Sequence, residues 1–596
     1  MIKAVFLSSL IGLLAPLAPA DAASSADAQA PASLPVVAAV ARCESITDLA
    51  LDDIGGPGSK LTSASEIERQ GARFCSVKGT LAPRIGFEVL LPVSTWTQRY
   101  LQVGCGGLCG RVSQQVGAAE GCAPLQAGGF VQASTDMGHQ GNGAEFGADP
   151  QQRADFAYRG VHLTAVAAKK LIRYYYGQPQ AYAYFSGCSD GGREALMEAQ
   201  RYPQDFNGII AGAAAANFQV QNALHHAWLA RANTGPDGKA ILTAARLPLV
   251  HEAVLQACDG LDGQVDRLIS DPRACHFNPA VLQCADGKAA AQCLSTEEVA
   301  AVRRFYASPV DPASGERLTI SGELPGSELA WAGVFVPGTA EQPMFSSMIA
   351  LQALQSLVFE HNPAPGLKLA DVVFDQATFD RLRALHPLYD ATNPDLSAFA
   401  KAGGKLIIWH GWADPHISPL NSIAYHEAVQ RQLGKAATAA FERLYLLPGL
   451  HHCAGGEGPS QLDLLTPLLA WVEQGRAADA IIATQVDAPR PGALGFGAPM
   501  GRLEGAQMGA PMGRPDGGER PQGPPPGFAP LAQSPADPAN AGRTRPVYPY
   551  PGMAVYSGQG DVRQASAYRR GELQDVGDVS PWMGSDFFTP YAFKAR

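Results

Sequence analysis

Tyr182-Ala183-Tyr184-Phe185-Ser186-Gly187-Cys188-Ser189-Asp190-Gly191-Gly192-Arg193-Glu194-Ala195-Leu196-Met197 is the stretch on which the fold turns. Its first four residues are apolar and read as a buried strand, and residues 193–201 read as a helix. Between them, glycines flank Ser189 on both sides. A strand that must reverse sharply into a helix needs such glycines, and the strained turn pushes the serine hydroxyl out above the sheet. An ordinary strand-to-helix turn is the competing reading, and this context favours a nucleophile elbow.

Working outward, residues 87–92, 100–103 and 182–185 are strand-like and alternate with the helix-like stretches 161–176 and 193–201. The alternation returns after about residue 400, with strand-like 405–410 and 444–447 and helix-like 462–473. Strands alternating with helices predict a mostly parallel sheet. Residues 217–393 lack that alternation and are Cys-rich, which predicts an inserted lid. A serine hydroxyl is a weak nucleophile until a base removes its proton, and the base needs an orienting carboxylate. In an elbow-bearing sheet the partners follow in the order Ser, acid, His, each just after a strand. Asp414, in Gly411-Trp412-Ala413-Asp414-Pro415, and His452, in Gly449-Leu450-His451-His452-Cys453, meet both conditions. The fold class expected is therefore α/β, an α/β-hydrolase fold with a core from 24–216 and 394–596 and a large lid inserted at 217–393.

The chain has 596 residues and a formal charge of -10, with no basic cluster to neutralise phosphates, so nucleic acid is not an expected partner. Met1-Ile2-Lys3 precedes an apolar run to about Leu17 and small residues ending in Ala22-Ala23. That predicts a signal peptide at 1–23 and a periplasmic or secreted protein, and no later run is long enough to span a bilayer. In an oxidising compartment most of the 11 cysteines should be paired, and an odd number leaves one over. Residues 488–541 are rich in Pro, Gly and Met, with Gly-Ala-Pro-Met-Gly-Arg occurring twice, and read as a flexible loop. Asp259-Gly260-Leu261-Asp262-Gly263-Gln264-Val265-Asp266 gathers three carboxylates in a glycine-containing loop, which suits calcium or, equally, a solvated Asx turn. His451-His452-Cys453 lacks the further ligands that a catalytic zinc needs.

A cysteine immediately before Ser189 and another immediately after His452 resemble the tannase and feruloyl esterase family. So do Gly187-Cys188-Ser189-Asp190-Gly191-Gly192-Arg193-Glu194, Ala391-Thr392-Asn393-Pro394-Asp395-Leu396-Ser397 and Trp409-His410-Gly411-Trp412-Ala413-Asp414-Pro415. The resemblance implies bridges Cys188–Cys453, Cys43–Cys75, Cys258–Cys275 and Cys284–Cys293. Proximity alone suggests Cys109–Cys122 and leaves Cys105 over. The family's C-terminal bridge has no counterpart near 545–551 and 566–568. A structural calcium is implied in the lid, on the side chains of Asp259, Asp262 and Asp266 and the carbonyls of Gln264 and Leu268. Gly104-Cys105-Gly106-Gly107 looks like the family's glycine loop, so the oxyanion donors expected are the N–H of Asp190 and that of Gly106 or Gly107.

The activity implied is carboxylic ester hydrolysis by Ser189, Asp414 and His452, on small-molecule esters of aromatic acids such as gallate or ferulate. Hydrolysis of mono(2-hydroxyethyl) terephthalate is the alternative within the family. No arginine falls between residues 327 and 380 to grip a free terephthalate carboxylate, which favours a neutral acyl group. Ile417, Trp331 and Phe335, with Phe345, are the expected acyl-pocket residues. From a different class, a silent hydrolase-fold protein that only binds polyphenols is opposed by the presence of all three triad residues.

Overall fold

In a computed structural model, residues 30–285, 290–485, 542–573 and 575 are described; the expected signal peptide at 1–23 and the segment 488–541 lie outside them. Nine strands form the main sheet: β1 (Lys60–Arg69), β2 (Ala72–Leu81), β3 (Ile85–Pro92), β4 (Arg99–Val103), β5 (Phe130–Thr135), β6 (Tyr182–Cys188), β7 (Gly208–Gly212), β8 (Lys405–Gly411) and β9 (Glu442–Leu447). Their order is β1-β2-β3-β5-β4-β6-β7-β8-β9. The pairings from β1 to β5 along that order are antiparallel, and every pairing from β5 to β9 is parallel.

Side chains that alternate along a strand point to opposite faces of the sheet, and here both faces are covered. Tyr100, Phe185, Ile209, Ile408 and Leu444 pack on the side of helices α1 (Gly160–Tyr176), α2 (Asp190–Arg201) and α3 (Leu420–Leu433). Their neighbours Leu101, Tyr184, Ile210, Ile407 and Tyr445 pack on the other side, against Leu465, Leu468 and Trp471 of α4 (Leu465–Gln474). α1 and α4 each stop at a glycine in the left-handed region, Gly177 and Gly475, as helix ends favour. The end of α4 is tied to the start of β4 by Glu473, which receives Arg99 at 2.7 Å and the Tyr184 hydroxyl at 2.8 Å in a buried pair.

Between β7 and β8 the chain leaves the sheet. Its two ends meet where the Ala391 N–H donates to the Ala216 carbonyl at 2.9 Å. The excursion has a core of its own around Leu247, Val250, Val302, Phe305, Trp331 and Phe335. Helix Phe345–Ser356 instead joins the main core through Ala350, Ala353 and Leu354.

After α4 the described residues form two short antiparallel pairs: β10 (Ile481–Thr484) pairs with β11 (Thr544–Val547), and β12 (Gly552–Tyr556) with β13 (Tyr568–Glu572). Among the described residues no helix is long and apolar enough to cross a membrane.

The structure bonds Cys43 to Cys75, Cys188 to Cys453, Cys258 to Cys275 and Cys284 to Cys293. It corrects the remaining assignment. Cys109 pairs with Cys105, not with Cys122, and Cys122 is the free cysteine. The reason is the sheet itself: Cys105 and Cys109 lie in the core on one face, and Cys122 in the core on the other. Burial pushes the Cys122 thiol up to about 12.

Candidate active site

The strand order reverses at β4, which has β5 on one side and β6 on the other. Loops at the carboxyl ends of strands flanking such a switch point frame a crevice. The loop after β4 carries Gly106 and Gly107, and the turn after β6 carries Ser189.

Ser189 has φ 65° and ψ -119°, a conformation that costs a residue with a side chain on the order of 1–3 kcal/mol. Its surroundings hold it there: the Ser189 N–H donates to the Gly212 carbonyl at 2.9 Å, and its own carbonyl receives the Ala215 N–H at 3.0 Å. A Cβ on Gly187 would collide with the Gly191 carbonyl, which is why the turn needs glycine there. α2 starts at Asp190, which lines the cleft beside Ser189. A helix N-terminus favours developing negative charge.

Asp414 follows β8 and is 3 % exposed. Its Oδ1 receives the N–H groups of His416 at 2.8 Å and Ile417 at 3.0 Å. Its Oδ2 receives Nδ1 of His452 at 2.7 Å and Nε2 of His410 at 3.1 Å. Nε2 of His410 also faces the Ile417 carbonyl at 3.0 Å, so with two acceptors before it that nitrogen carries the proton. Burial alone would raise the Asp414 carboxyl, but His452 and His410 hold it well below the usual carboxylate range. The loops after β8 and β9 are stitched by Trp412 N–H to the Leu447 carbonyl and Ala413 N–H to the Leu450 carbonyl. The Cys188–Cys453 bridge spans 265 residues and fixes the residue before Ser189 to the residue after His452. In the chain-entropy picture a loop that long is stabilising by roughly 5–6 kcal/mol.

Ser189, Asp190, His452, Gly107 and Ile417 line one cleft of about 570 Å³, counted to its open mouth. Leu108, Phe218, Phe345, Ile349, Ala353 and Leu357 supply its apolar wall. Gln221, Asn222, His226, Gln352 and His416 supply the polar lining. Burial lowers the His416 imidazole to about 3, and it stays neutral beside His452, ring centroids 4.9 Å apart.

Trp331 and Phe335 do not reach the cleft. Both are fully buried in the excursion's own core, where aromatic rings pack on one another: Phe305 lies 5.4 Å from Trp331 and 5.0 Å from Phe335. Phe345 does line the cleft, edge-on to His416. Gln221, His226 and Gln352 escaped sequence reasoning, since nothing in their local pattern marks a pocket.

In the Asp259–Asp266 loop each carboxylate holds backbone. Asp259 receives the N–H groups of Asp266 at 3.2 Å and Arg267 at 3.0 Å, Asp262 that of Gln264 at 2.9 Å, and Asp266 that of Leu268 at 3.2 Å. Arg545 of β11 reaches Asp266 at 3.0 Å and Asp262 at 3.5 Å from outside the loop. Burial raises the Asp259 carboxyl, and the charges of Asp266 and Asp262 beside it act in the same direction. The three carboxylates are therefore engaged by backbone N–H groups and by the Arg545 guanidinium.

The family model for tannase and feruloyl esterase matches residues 67–570. An uncharacterized esterase of Xanthomonas campestris is 34% identical over 459 residues, 69% of this chain and 77% of that protein. Mono(2-hydroxyethyl) terephthalate hydrolase of Piscinibacter sakaiensis is 31% identical over 555 residues, 82% of this chain and 83% of that one. Among solved structures, feruloyl esterase B from Aspergillus oryzae superposes with a TM-score of 0.70 at 24% identity, covering 89% of this chain and 100% of that one. The shared fold is thus the α/β-hydrolase type.

Proposed function

This chain belongs to the tannase and feruloyl esterase family and is a carboxylic ester hydrolase, and from that premise we propose that it is an exported serine esterase that cleaves esters of neutral aromatic acids through an acyl-enzyme on Ser189. The observation that carries this reading is the 2.7 Å hydrogen bond from His452 to the buried Asp414, with His452 and Ser189 lining the same cleft. His452 takes the Ser189 proton as the hydroxyl attacks the ester carbonyl. The oxyanion is received by the N–H of Asp190 and that of Gly106 or Gly107. His452, held in tautomer and orientation by Asp414, then protonates the leaving alcohol. Water resolves the acyl-enzyme by the same steps, with His452 again the base.

The apolar wall of the cleft and the absence of Arg or Lys among the described residues that line it support an uncharged aromatic acyl group, such as a hydroxycinnamate or gallate. The terephthalate relative supports a second reading, in which the acyl group carries a free carboxylate. Comparing kcat/KM on methyl ferulate, methyl gallate, chlorogenate and mono(2-hydroxyethyl) terephthalate decides between them. A neutral ester is expected to lead, and a lead of tenfold or more for the terephthalate ester would overturn that choice.

The apolar leader at 4–17 and the disulfides support export to the periplasm or beyond. Calcium, held by Asp259, Asp262 and Asp266 with the carbonyls of Gln264 and Leu268, would stiffen the loop that Arg545 ties to the C-terminal strand pairs.

A further inference from the structure

The Cys105–Cys109 bridge and the carboxyl of Glu194 beneath it take no part in the steps above. We propose that they are positioning groups, which together hold the Gly106–Gly107 backbone in the geometry that receives the oxyanion. The inference deepens the acyl-enzyme reading and rests on it.

The bridge joins positions four apart and encloses Gly106, Gly107 and Leu108, two of which line the cleft. Within this turn the backbone is left-handed at Gly107 (φ 65°), Cys109 (φ 61°) and Gly110 (φ 75°). A residue with a side chain does not hold such a φ unaided, and the turn's internal hydrogen bond, Cys109 N–H to the Gly106 carbonyl at 3.1 Å, is a single tie. The covalent link between Cys105 and Cys109 supplies the missing constraint.

Glu194 supplies the floor. It lies on α2, is 2 % exposed, and its Oε2 receives the Cys105 N–H at 3.3 Å. Its Oε1 lies 2.9 Å from Cys105 Sγ and 3.3 Å from Cys109 Sγ. The approach is this close because Gly104 has no side chain: a Cβ there would sit 2.8 Å from both Glu194 Oε2 and the Gly191 Cα. Glu194 is also four residues after Asp190, whose N–H is the other donor. One carboxyl thus links the two halves of the oxyanion site.

The charges agree with that role. Arg193 clamps the Asp190 carboxylate at 2.6 Å and 3.0 Å, so Asp190 is the ionised member of the pair. Burial, and then the Asp190 charge beside it, holds Glu194 well above the usual carboxylate range, which keeps it protonated. A disulfide sulfur bears no hydrogen, so a neutral acid is the form that fits against it. It also places no negative charge behind an oxyanion.

The test uses the full chain with Cys105→Ala/Cys109→Ala, Glu194→Ala and Glu194→Gln, assayed on the best ester and with an aryl trifluoromethyl ketone that forms a tetrahedral adduct. The cysteine pair and Glu194→Ala should lower kcat roughly tenfold or more with KM within about twofold, and weaken the ketone in parallel. Glu194→Gln, neutral and of the same shape, should keep kcat within about threefold. Unchanged kcat and ketone affinity in the first two variants, or a loss confined to KM, would overturn the proposal. If the cysteine pair does not fold, the ratio of Glu194→Gln to Glu194→Ala decides alone, and equal losses in the two count against it. Ser189→Ala separates the two claims: no turnover there with full kcat here removes this proposal and leaves the acyl-enzyme, whereas turnover there removes the acyl-enzyme itself.

Discussion

At the scale of the residue, Asp414 carries more than one duty. It accepts from His452 and also from His410, His416 and Ile417, so its carboxylate is both the proposed catalytic partner of His452 and the knot of the loop after β8. Asp414→Asn keeps the shape but puts an amide where Nδ1 of His452 donates. Steady-state assay should show kcat reduced by about 10²–10⁴ with KM little changed. A loss below fivefold would mean that His452 is oriented by something else.

His416 gives a pH prediction of definite sign. An unfolded histidine takes a proton near 6.5, whereas buried His416 stays neutral down to about 3, so its neutral folded form loses stability as pH falls through that window. The slope is up to about 1.4 kcal/mol per pH unit. Relative to the native chain, His416→Gln should therefore gain thermal stability between pH 7 and pH 4, and a constant difference across that range would refute the assignment. Residues of this kind differ in legibility. That His452 meets Asp414 and shares a cleft with Ser189 is legible because the fold fixes the order of the three residues after strands. His226 and Gln352 cannot be read, because packing of the excursion brings them to the cleft. Trp331 and Phe335 mislead, because a buried aromatic is more often core than pocket.

Among elements, the parallel strands from β4 to β9 are the most readable: short apolar runs, covered on both faces, bounded by glycine or polar turns. β1 is harder, since most of its residues are exposed and lack a clean alternation. The loop after β4 brings Gly107 to the cleft, but its bridge is not legible, although the Cys-x-x-x-Cys spacing is visible; which sheet face each cysteine occupies is a tertiary fact. Packing of α4 against the sheet depends on Arg99 and Glu473, with side chains 2% and 0% exposed. Removing one member of a buried pair strands the other charge, so Glu473→Ala should cost about 3–5 kcal/mol in urea unfolding. A cost under 1 kcal/mol would show that water reaches the pair.

The whole molecule is a sheet whose cleft is walled by an excursion, with loops and strand pairs tied back by disulfides and by Arg545. If calcium stiffens the Asp259–Asp266 loop, chelation with EGTA should lower the unfolding midpoint by several degrees, and added calcium should restore it. Asp262→Asn should abolish that difference; a chain indifferent to both treatments would remove calcium from the account. The central claim is that Ser189 is the group acylated, and labelling with a fluorophosphonate followed by peptide mass mapping tests it most directly. The account predicts a single adduct on the peptide containing Ser189, lost in Ser189→Ala and suppressed in Asp414→Asn. An unlabelled Ser189 in folded chain that turns over ester, or an adduct elsewhere that tracks activity, would contradict it.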